Sequence, residues 1–182
     1  WSELFGKYKE SKKCNLLEIG CGQGELGLIL SGNVVKTYYG IDPDKERIRY
    51  AKDKGEGKKN INYEVGKAEE IPFKKKFDIL FYTFSWHFIK NFDDAIKEAL
   101  RVLIKDGILV ILEPNEKTNR WKSPILTRGR PEFSEIEHKK KLQDLERAKT
   151  ALYAQKRFAI IEERVGDENK PNIWILKRSI AK

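Results

Sequence analysis

The sequence predicts a three-layer α/β fold, in which helices cover both faces of a mostly parallel β-sheet. Short apolar runs alternate along the chain with segments whose apolar residues have helical spacing. The run at residues 108–112 is continuously apolar, which is typical of a parallel strand buried on both faces. The apolar run that ends at Ile19 leads directly into a glycine-rich turn and then a helical pattern, which indicates a strand, turn and helix unit.

The apolar runs place five strands in the first part of the chain and two more near its end. We expect them at residues 15–20, 37–41, 61–65, 77–81, 108–112, 158–165 and 172–177. The turn-forming residues 166–171 join the last two strands, so these two are expected to form a terminal hairpin.

Helical spacing predicts the segments between the strands. We expect helices at residues 1–12, 24–31, from Asp44 onward, from Asp93 to Leu103, and at 134–154. Asp44 directly follows a proline and is a suitable N-cap. Ser134 and Glu137 have the spacing of a capping box at the start of the last helix.

Composition indicates one globular domain over residues 1–182, with 40% hydrophobic and 36% charged residues. No apolar run approaches the ~20 residues that would cross a bilayer, and no signal-peptide pattern is present, so we expect a cytoplasmic protein. Lys and Glu dominate the charged residues while Gln is rare, which is associated with hyperthermophiles and accounts for part of the net charge of +9.

The chain has two cysteines and no methionine. Cys14 and Cys21 flank the first strand too closely for a disulfide framework, and no Cys and His residues have metal-binding spacing. We therefore expect reduced thiols and no metal. Because methionine is absent, we also expect residues to precede Trp1 in the translated protein.

The glycine-rich turn carries the strongest functional signal. Gly22, Gly24 and Gly27 satisfy the dinucleotide fingerprint, and Asp42 follows twenty residues after Gly22. Glu18, however, stands two residues before the first glycine of the turn, inside the apolar strand. A nearby carboxylate does not stabilise a bound pyrophosphate, whereas it does stabilise a bound cationic amino-acid moiety. Glu18 therefore favours S-adenosylmethionine as the ligand.

Several motifs in order resemble the class I S-adenosylmethionine-dependent methyltransferases, and within them the small type-11 group. The resemblance runs from about Leu16 to Pro114. It is carried by residues 18–24 (EIGCGQG), 38–43 (YYGIDP), 66–73 (GKAEEIPF), 77–81 (FDILF) and 99–111 (ALRVLIKDGILVI). The order and spacing of these motifs together make the resemblance specific.

The resemblance implies a Rossmann-like, seven-stranded sheet whose last strand is antiparallel, with S-adenosylmethionine as cofactor. The residues that it implies for cofactor binding are Glu18, Gly20, Cys21, Gly22, Gly24, Asp42, Pro43, Ala68, Glu69 and Thr83. Asp42 would bind both ribose hydroxyls. The family usually has Asp where Lys67 stands, and Lys cannot accept a hydrogen bond from the adenine amino group. Adenine would then depend on the Ala68 backbone and on Pro43.

The end of the fourth strand supplies the candidate catalytic residues. His87 is the candidate general base because its ordinary pKa lies near neutrality, although a His at this place in the family can simply shape the pocket. Tyr82 is expected to contact the substrate, and Trp86 and Phe88 to pack against a helix.

Two features that are missing after the fourth strand exclude some classes of methyl acceptor. Residues 82–86 (YTFSW) do not match the Asn/Asp-Pro-Pro-Tyr/Phe motif of enzymes that methylate exocyclic base nitrogens. No cysteine follows the fourth strand, which disfavours covalent methylation of cytosine carbon. We therefore expect methyl transfer to an O, N or S atom of an unidentified acceptor.

Residues 115–133 are expected to be an insertion on the substrate side. Five basic residues there surround Trp121 without an acid among them, namely Lys117, Arg120, Lys122, Arg128 and Arg130. They favour an anionic or RNA acceptor, and a solvated basic loop is the alternative. Few residues precede the first strand, so they are too few to form a lid over the substrate site. Three alternatives are open: a lid lies before Trp1, residues 115–133 replace it, or the substrate is large.

Two other functions stay open at this point. One is a non-catalytic methyltransferase-like module that binds S-adenosylmethionine or RNA. The other is an NAD-dependent oxidoreductase, which is disfavoured because no substrate domain with groups for hydride transfer follows the nucleotide-binding pattern.

Overall fold

The computed structural model describes residues 14–31, 34–114, 135–166 and 170–179. Within them, seven strands form a single sheet. In chain order the strands are β1 (Asn15–Ile19), β2 (Thr37–Asp42), β3 (Ile61–Val65), β4 (Phe77–Thr83), β5 (Leu103–Glu113), β6 (Phe158–Arg164) and β7 (Asn172–Arg178). The described helices are α1 (Glu25–Leu30), α2 (Lys45–Lys54), α3 (Phe92–Val102) and α4 (Glu135–Ala154), and a 3₁₀ turn spans Trp86–Phe88.

The sheet has the order β3-β2-β1-β4-β5-β7-β6. The first five strands pair in parallel, and β7 runs antiparallel to both β5 and β6. This confirms the expected seven-stranded, mostly parallel sheet with a terminal antiparallel hairpin. The strand order reverses at β1, so β1, β2 and β4 present their carboxyl ends where an open α/β sheet binds its ligands.

Two apolar layers cover the sheet, because successive side chains of a strand point to opposite faces. On β4, Leu80 belongs to the cluster that includes residues of α3 and α4, and Phe81 to the cluster that includes residues of α1 and α2. Both side chains are fully buried. The three-layer prediction is therefore confirmed within the described residues.

Capping side chains determine where two helices begin. The Asp44 carboxylate accepts from the backbone N–H groups of Glu46 and Arg47 at 2.9 and 3.2 Å, which confirms its predicted capping role. The next helix was expected to begin at Asp93, but α3 begins at Phe92. Asn91 supplies the cap there by accepting from the backbone N–H of Asp94 at 3.2 Å.

Strand β5 is longer than predicted, because it begins at Leu103 and not at residue 108. Leu103 leaves α3 with extended backbone angles and already pairs with Phe77. The ladder then shifts register between Phe77 and Ile79. The predicted helix at residues 1–12 and the Ser134 cap lie outside the described residues.

Candidate functional site

The turn between β1 and α1 bends back onto the end of β2. The N–H groups of Gly20 and Cys21 both donate to the Ile41 carbonyl, at 2.8 and 2.9 Å. Gly20 and Gly22 have φ angles of 79° and 57°, in the left-handed region that favours glycine. A Cβ atom on Gly20 would lie 2.5 Å from the Ser85 Cβ, whereas one on Gly22 would meet no atom within 4 Å. Gly22 therefore faces open space.

Asp42 fixes this turn from the end of β2. Its Oδ2 accepts from the Gly22 N–H at 2.9 Å and its Oδ1 from the Asp44 N–H at 3.0 Å. The side chain is buried apart from the edge that it presents to a neighbouring cavity. Each carboxylate oxygen has a second lone pair, so Asp42 can still accept hydrogen bonds from a ligand.

A cavity of about 430 Å³ lies at the carboxyl ends of β1, β2 and β3 and against the turn after β4. This volume is within the range of about 300–1,000 Å³ that is usual for small-molecule sites. We call it the cofactor cavity. Five of the residues expected to bind cofactor line it, namely Gly20, Asp42, Pro43, Ala68 and Glu69.

The lining of the cofactor cavity does not include the other predicted binding residues, which are Glu18, Cys21, Gly22, Gly24 and Thr83. Cys21 is buried beside the Ile41 carbonyl, and Thr83 lies half-buried at the end of β4. Tyr63 donates to the Gly24 carbonyl at 2.7 Å and so supports the far side of the turn. Their roles toward a cofactor stay predictions.

Glu18 points into the core, where it accepts a hydrogen bond from the Tyr38 hydroxyl. Burial is the main cause that raises the pKa of the Glu18 carboxyl to about 7 from its ordinary 4.5. The Tyr38 hydrogen bond opposes this shift by favouring the charged form. Glu18 therefore combines an internal structural contact with a charge that changes close to neutral pH.

Two basic side chains lie on the side of the cavity that is expected to hold adenine. Lys67 and Arg47 both line it, and their side chains are 56% and 46% exposed. Lys67 Nζ lies 3.7 Å from a Glu70 carboxylate oxygen, and Arg47 Nε lies 3.3 Å from Asp44. Sequence analysis missed Arg47, although its place in the first turn of a helix that follows β2 was a usable signal.

Glu69 connects this side of the cavity to the chain beyond the 3₁₀ turn. Its Oε1 accepts from the backbone N–H groups of Lys90 and Asn91, at 3.0 and 3.3 Å. The residues just before them, Phe88 and Ile89, also line the cavity. The prediction that Phe88 packs against a helix is wrong, since its side chain is 66% exposed at the cavity edge.

The 3₁₀ turn is held from β5 by Glu113, a residue that sequence analysis missed. Glu113 Oε1 accepts from the Trp86 N–H at 2.7 Å and the His87 N–H at 3.4 Å, and its Oε2 lies 2.5 Å from His87 Nδ1. The side chains of Glu113 and His87 are both buried, at 3% and 2% exposure. An acid that ends a continuous apolar strand was the available signal for Glu113.

Trp86 and Tyr82 lie in the core behind this turn. Trp86 is packed against α4 as predicted, and its Nε1 donates to the Ala148 carbonyl at 3.1 Å. Tyr82 is fully buried, with its ring edge-on to Trp86 at 5.0 Å between centroids. Burial raises the pKa of the Tyr82 hydroxyl. Tyr82 is not among the residues that line the cofactor cavity, and its contact with a substrate stays a prediction.

Comparison with known families agrees with this geometry. Residues 17–111 match the family described as methyltransferase domain. The match covers more than half of the chain and spans the glycine turn, Asp42 and most of β5. The chain therefore belongs to the methyltransferase-domain family.

Curated relatives include several methyltransferases. The chain is 30% identical over 130 residues to an uncharacterised methyltransferase of Staphylococcus carnosus, covering 69% of this chain and 59% of the relative. It is 36% identical over 112 residues to a ubiquinone biosynthesis O-methyltransferase of Pelagibacter ubique, covering 59% and 45%. A demethylmenaquinone methyltransferase of Lactobacillus johnsonii is 31% identical over 140 residues, covering 71% and 54%. The chain thus spans about half the length of these relatives.

Solved structures share the fold across nearly the whole chain. A protein of Methanococcus maripaludis matches with a TM-score of 0.74 and 20% identity, covering 100% of this chain and 84% of that one. An S-adenosylmethionine-dependent methyltransferase of Aquifex aeolicus matches with a TM-score of 0.67 and 18% identity, covering 96% and 87%. At these identities the similarity is one of fold.

Proposed function

We propose that this chain is an S-adenosylmethionine-dependent methyltransferase that acts on an O, N or S atom of an acceptor. The observation that carries the proposal is the cofactor cavity, where the glycine turn and the Asp42 carboxylate meet at the carboxyl ends of β1 and β2. Membership of the methyltransferase-domain family supports the same activity.

The residues of the cavity fit this cofactor. Asp42 offers acceptor lone pairs for two ribose hydroxyls, and Gly22, which donates to Asp42 but does not itself line the cavity, leaves open space where a side chain would otherwise project. Ala68 and Pro43 supply the apolar surface and backbone groups that adenine needs. Lys67 cannot accept from the adenine amino group, so recognition of adenine falls to its neighbours.

When bound, S-adenosylmethionine would supply an electrophilic methyl group. An acceptor lone pair would form the new bond, the carbon–sulfur bonding pair would stay on sulfur, and the acceptor proton would pass to a base. The chain itself positions and encloses the reactants, which is most of what such a reaction requires. Phe88 and Ile89 border the cavity from the 3₁₀ turn, and Glu113 holds that turn in place. His87 stays the candidate base: with Nδ1 held by Glu113, Nε2 is the nitrogen that would take the proton.

The anionic or RNA acceptor depends on Lys117, Arg120, Lys122, Arg128 and Arg130, which lie outside the described residues. The single-domain organisation, the cytoplasmic location and the hyperthermophile origin likewise stay predictions. Among the described helices, none has the length and apolar character that crossing a membrane requires.

Calorimetric titration with S-adenosylmethionine, S-adenosylhomocysteine and NAD tests the proposal. We expect the two adenosyl ligands to bind and Asp42→Asn to weaken both by about 1–3 kcal/mol, because charge-assisted hydrogen bonds are lost. Asp106→Asn is the matched control, since it removes the same charge from an exposed site on β5, before the buried run that reaches the carboxyl edge. Binding of NAD alone would overturn the proposal, and adenosyl binding without methyl transfer to any extract would leave the non-catalytic module.

A further inference from the structure

Exposed basic residues gather at the edge of the sheet that lies opposite the cofactor cavity. The parallel strands begin at this edge, and we call it the amino edge. Lys36 directly precedes β2, Lys58 and Lys59 stand just before β3, and the lysines at 74–76 directly precede β4. All of these residues are exposed. The turns that lead into these three strands therefore present positive charge to solvent.

The last three strands continue the same row of charge. Lys105 stands near the start of β5, and Lys156 and Arg157 directly precede β6. Strand β7 is antiparallel to both, so it reaches the amino edge with its final residues, where Lys177 pairs with Ile108. The four basic residues are exposed. Exposed cations therefore stand at the positions of β2 to β7 along this edge.

The cations of the amino edge form no ion pairs with acids in the described part of the chain. Exposed cations on the helices, by contrast, have acid partners: Arg49 lies 3.1 Å from Glu46, and Lys97 lies 2.9 Å from Asp94. Thermal adaptation favours charged residues that are organised into ion-pair networks. It therefore does not account for a row of cations without acid partners, which suits an anionic partner from outside the chain.

Charge is distributed unevenly between the two edges of the sheet. In the described turns of the amino edge, the exposed acids are Glu56 and Asp106, and the basic residues outnumber them. In residues 42–47, 66–72 and 83–94, which are the turns at the carboxyl ends of β2, β3 and β4, acids outnumber bases. A polyanion is therefore attracted to the amino edge and repelled by these carboxyl-edge turns.

The row of cations has the length of a nucleic-acid contact. Strands β3 and β6 are the outermost strands of the seven-stranded sheet. Because neighbouring strands lie about 4.7–4.9 Å apart, the row from β3 to β6 extends over roughly 29 Å. One helical turn of duplex DNA is about 34–36 Å long. The amino edge is therefore long enough to follow a duplex over most of one turn.

From these observations we propose that the amino edge binds the phosphate backbone of double-stranded nucleic acid. Lysines in a row contact phosphates without reading bases. The described residues of these turns include no aromatic side chain on which unpaired bases would stack, and no large exposed apolar side chain that would enter a membrane. The inference is independent of the proposed function: the duplex lies on the edge opposite the cofactor cavity, and we do not assign it as the methyl acceptor.

Fluorescence anisotropy with a fluorescein-labelled DNA duplex of about two helical turns tests the inference. We expect saturable binding whose log K falls linearly with log salt, with a slope of about −0.9 for each phosphate that is neutralised. A single strand of the same length is expected to bind more weakly. Absence of duplex binding at low salt, or tighter binding of the single strand, would overturn the inference.

A triple variant locates the duplex on the amino edge. Lys59→Gln, Lys74→Gln and Lys156→Gln together remove one charge from the positions of β3, β4 and β6. We expect this variant to bind the duplex at least about tenfold more weakly. Its salt slope should be shallower by about 2.7, because each lysine that contacts a phosphate contributes about 0.9. The three residues are exposed, so the fold should tolerate the changes.

The matched control removes the same charge elsewhere. Lys45→Gln, Lys90→Gln and Lys140→Gln lower the net charge equally, at exposed positions away from the amino edge. We expect the control to keep the salt slope of the wild type and to lose less than about threefold in affinity, since no phosphate contact is removed. Equal losses in the two triple variants would overturn the inference, because net charge alone would then explain binding.

Other occupants of the amino edge give different results. Tighter binding to vesicles of phosphatidylserine and phosphatidylcholine than to the duplex, at equal phosphate and salt concentrations, would overturn the inference in favour of a membrane. Self-association at low salt that the amino-edge variant abolishes, measured by sedimentation, would overturn it in favour of a second copy of this chain. Calorimetry should show equal S-adenosylmethionine binding in the wild type and the amino-edge variant, so failure of the proposed function is distinguishable from failure of this inference.

Discussion

Glu18 makes the stability of the fold depend on pH. Its pKa is raised to about 7 from 4.5 because the carboxyl is buried. The folded state therefore keeps a proton that the unfolded state releases, so the free energy of unfolding falls as pH rises from about 4.5 to about 7. Below this window the contribution is fully present, and above it the loss is complete.

Glu18→Gln should remove this dependence, because the amide does not titrate and can still accept from Tyr38. We expect wild type to be less stable than the variant by about 1–3 kcal/mol above pH 7 and similar to it below pH 4.5, by urea denaturation. Glu56→Gln, at an exposed position, is the control. Parallel pH profiles for wild type and Glu18→Gln would contradict the assignment.

We expect substitution of Gly22 to act in two separable ways, through backbone conformation and through loss of open space. Gly22→Val places a branched side chain at φ 57°, which strains the backbone, and projects it into the space beside Asp42. Gly57 has φ 78° and also no atom within 4 Å of an added Cβ, but it lies in the turn between α2 and β3. Gly57→Val therefore reproduces the strain away from the cavity.

We expect both glycine variants to lose stability, by about 1–2 kcal/mol from the left-handed backbone. Only Gly22→Val should also lose S-adenosylmethionine affinity, at least about tenfold by calorimetry, which corresponds to 1.4 kcal/mol. If the two variants bound the cofactor equally well, the glycine turn would not be the binding surface.

At the scale of elements, the 3₁₀ turn Trp86–Phe88 depends on its neighbours for its position. Glu113 of β5 accepts its N–H groups, while Arg147 of α4 donates to the carbonyls of His87 and Ile89 at 3.3 and 2.9 Å. A turn of three residues has too few internal bonds to hold itself in place. Strand β5 and helix α4 therefore determine the position of this turn, whose Phe88 lines the cofactor cavity.

Glu113→Ala should destabilise the fold by about 2–4 kcal/mol, because buried donors on Trp86 and His87 lose their acceptor. Glu113→Gln keeps one carbonyl oxygen for the two N–H groups and should cost less. Chemical denaturation checks both, with Asp106→Asn on the same strand as the exposed control. Stability of Glu113→Ala within about 0.5 kcal/mol of wild type would show that this carboxylate does not hold the turn.

At the scale of the whole molecule, the sequence predicts the sheet because its signals are local. The apolar runs mark the strands, and Asp44 marks a helix start by its own side chain. The burial of Tyr82 and the exposure of Phe88 were not predictable in this way, since both depend on tertiary packing and not on the local pattern. Glu113 does carry a local signal, because it directly follows a continuous apolar run, but its partners Trp86 and His87 lie 27 and 26 residues earlier in the chain and cannot be inferred from that signal.

A crystal structure of the protein with S-adenosylhomocysteine is the most direct test of whether the carboxyl edge of β1 and β2 binds S-adenosylmethionine, as we propose. We predict the ligand in the cofactor cavity, with both ribose hydroxyls within hydrogen-bond distance of Asp42, adenine against Ala68, and its sulfur toward the turn that contains Trp86. A ligand bound elsewhere, or bound here without contact to Asp42, would contradict the account.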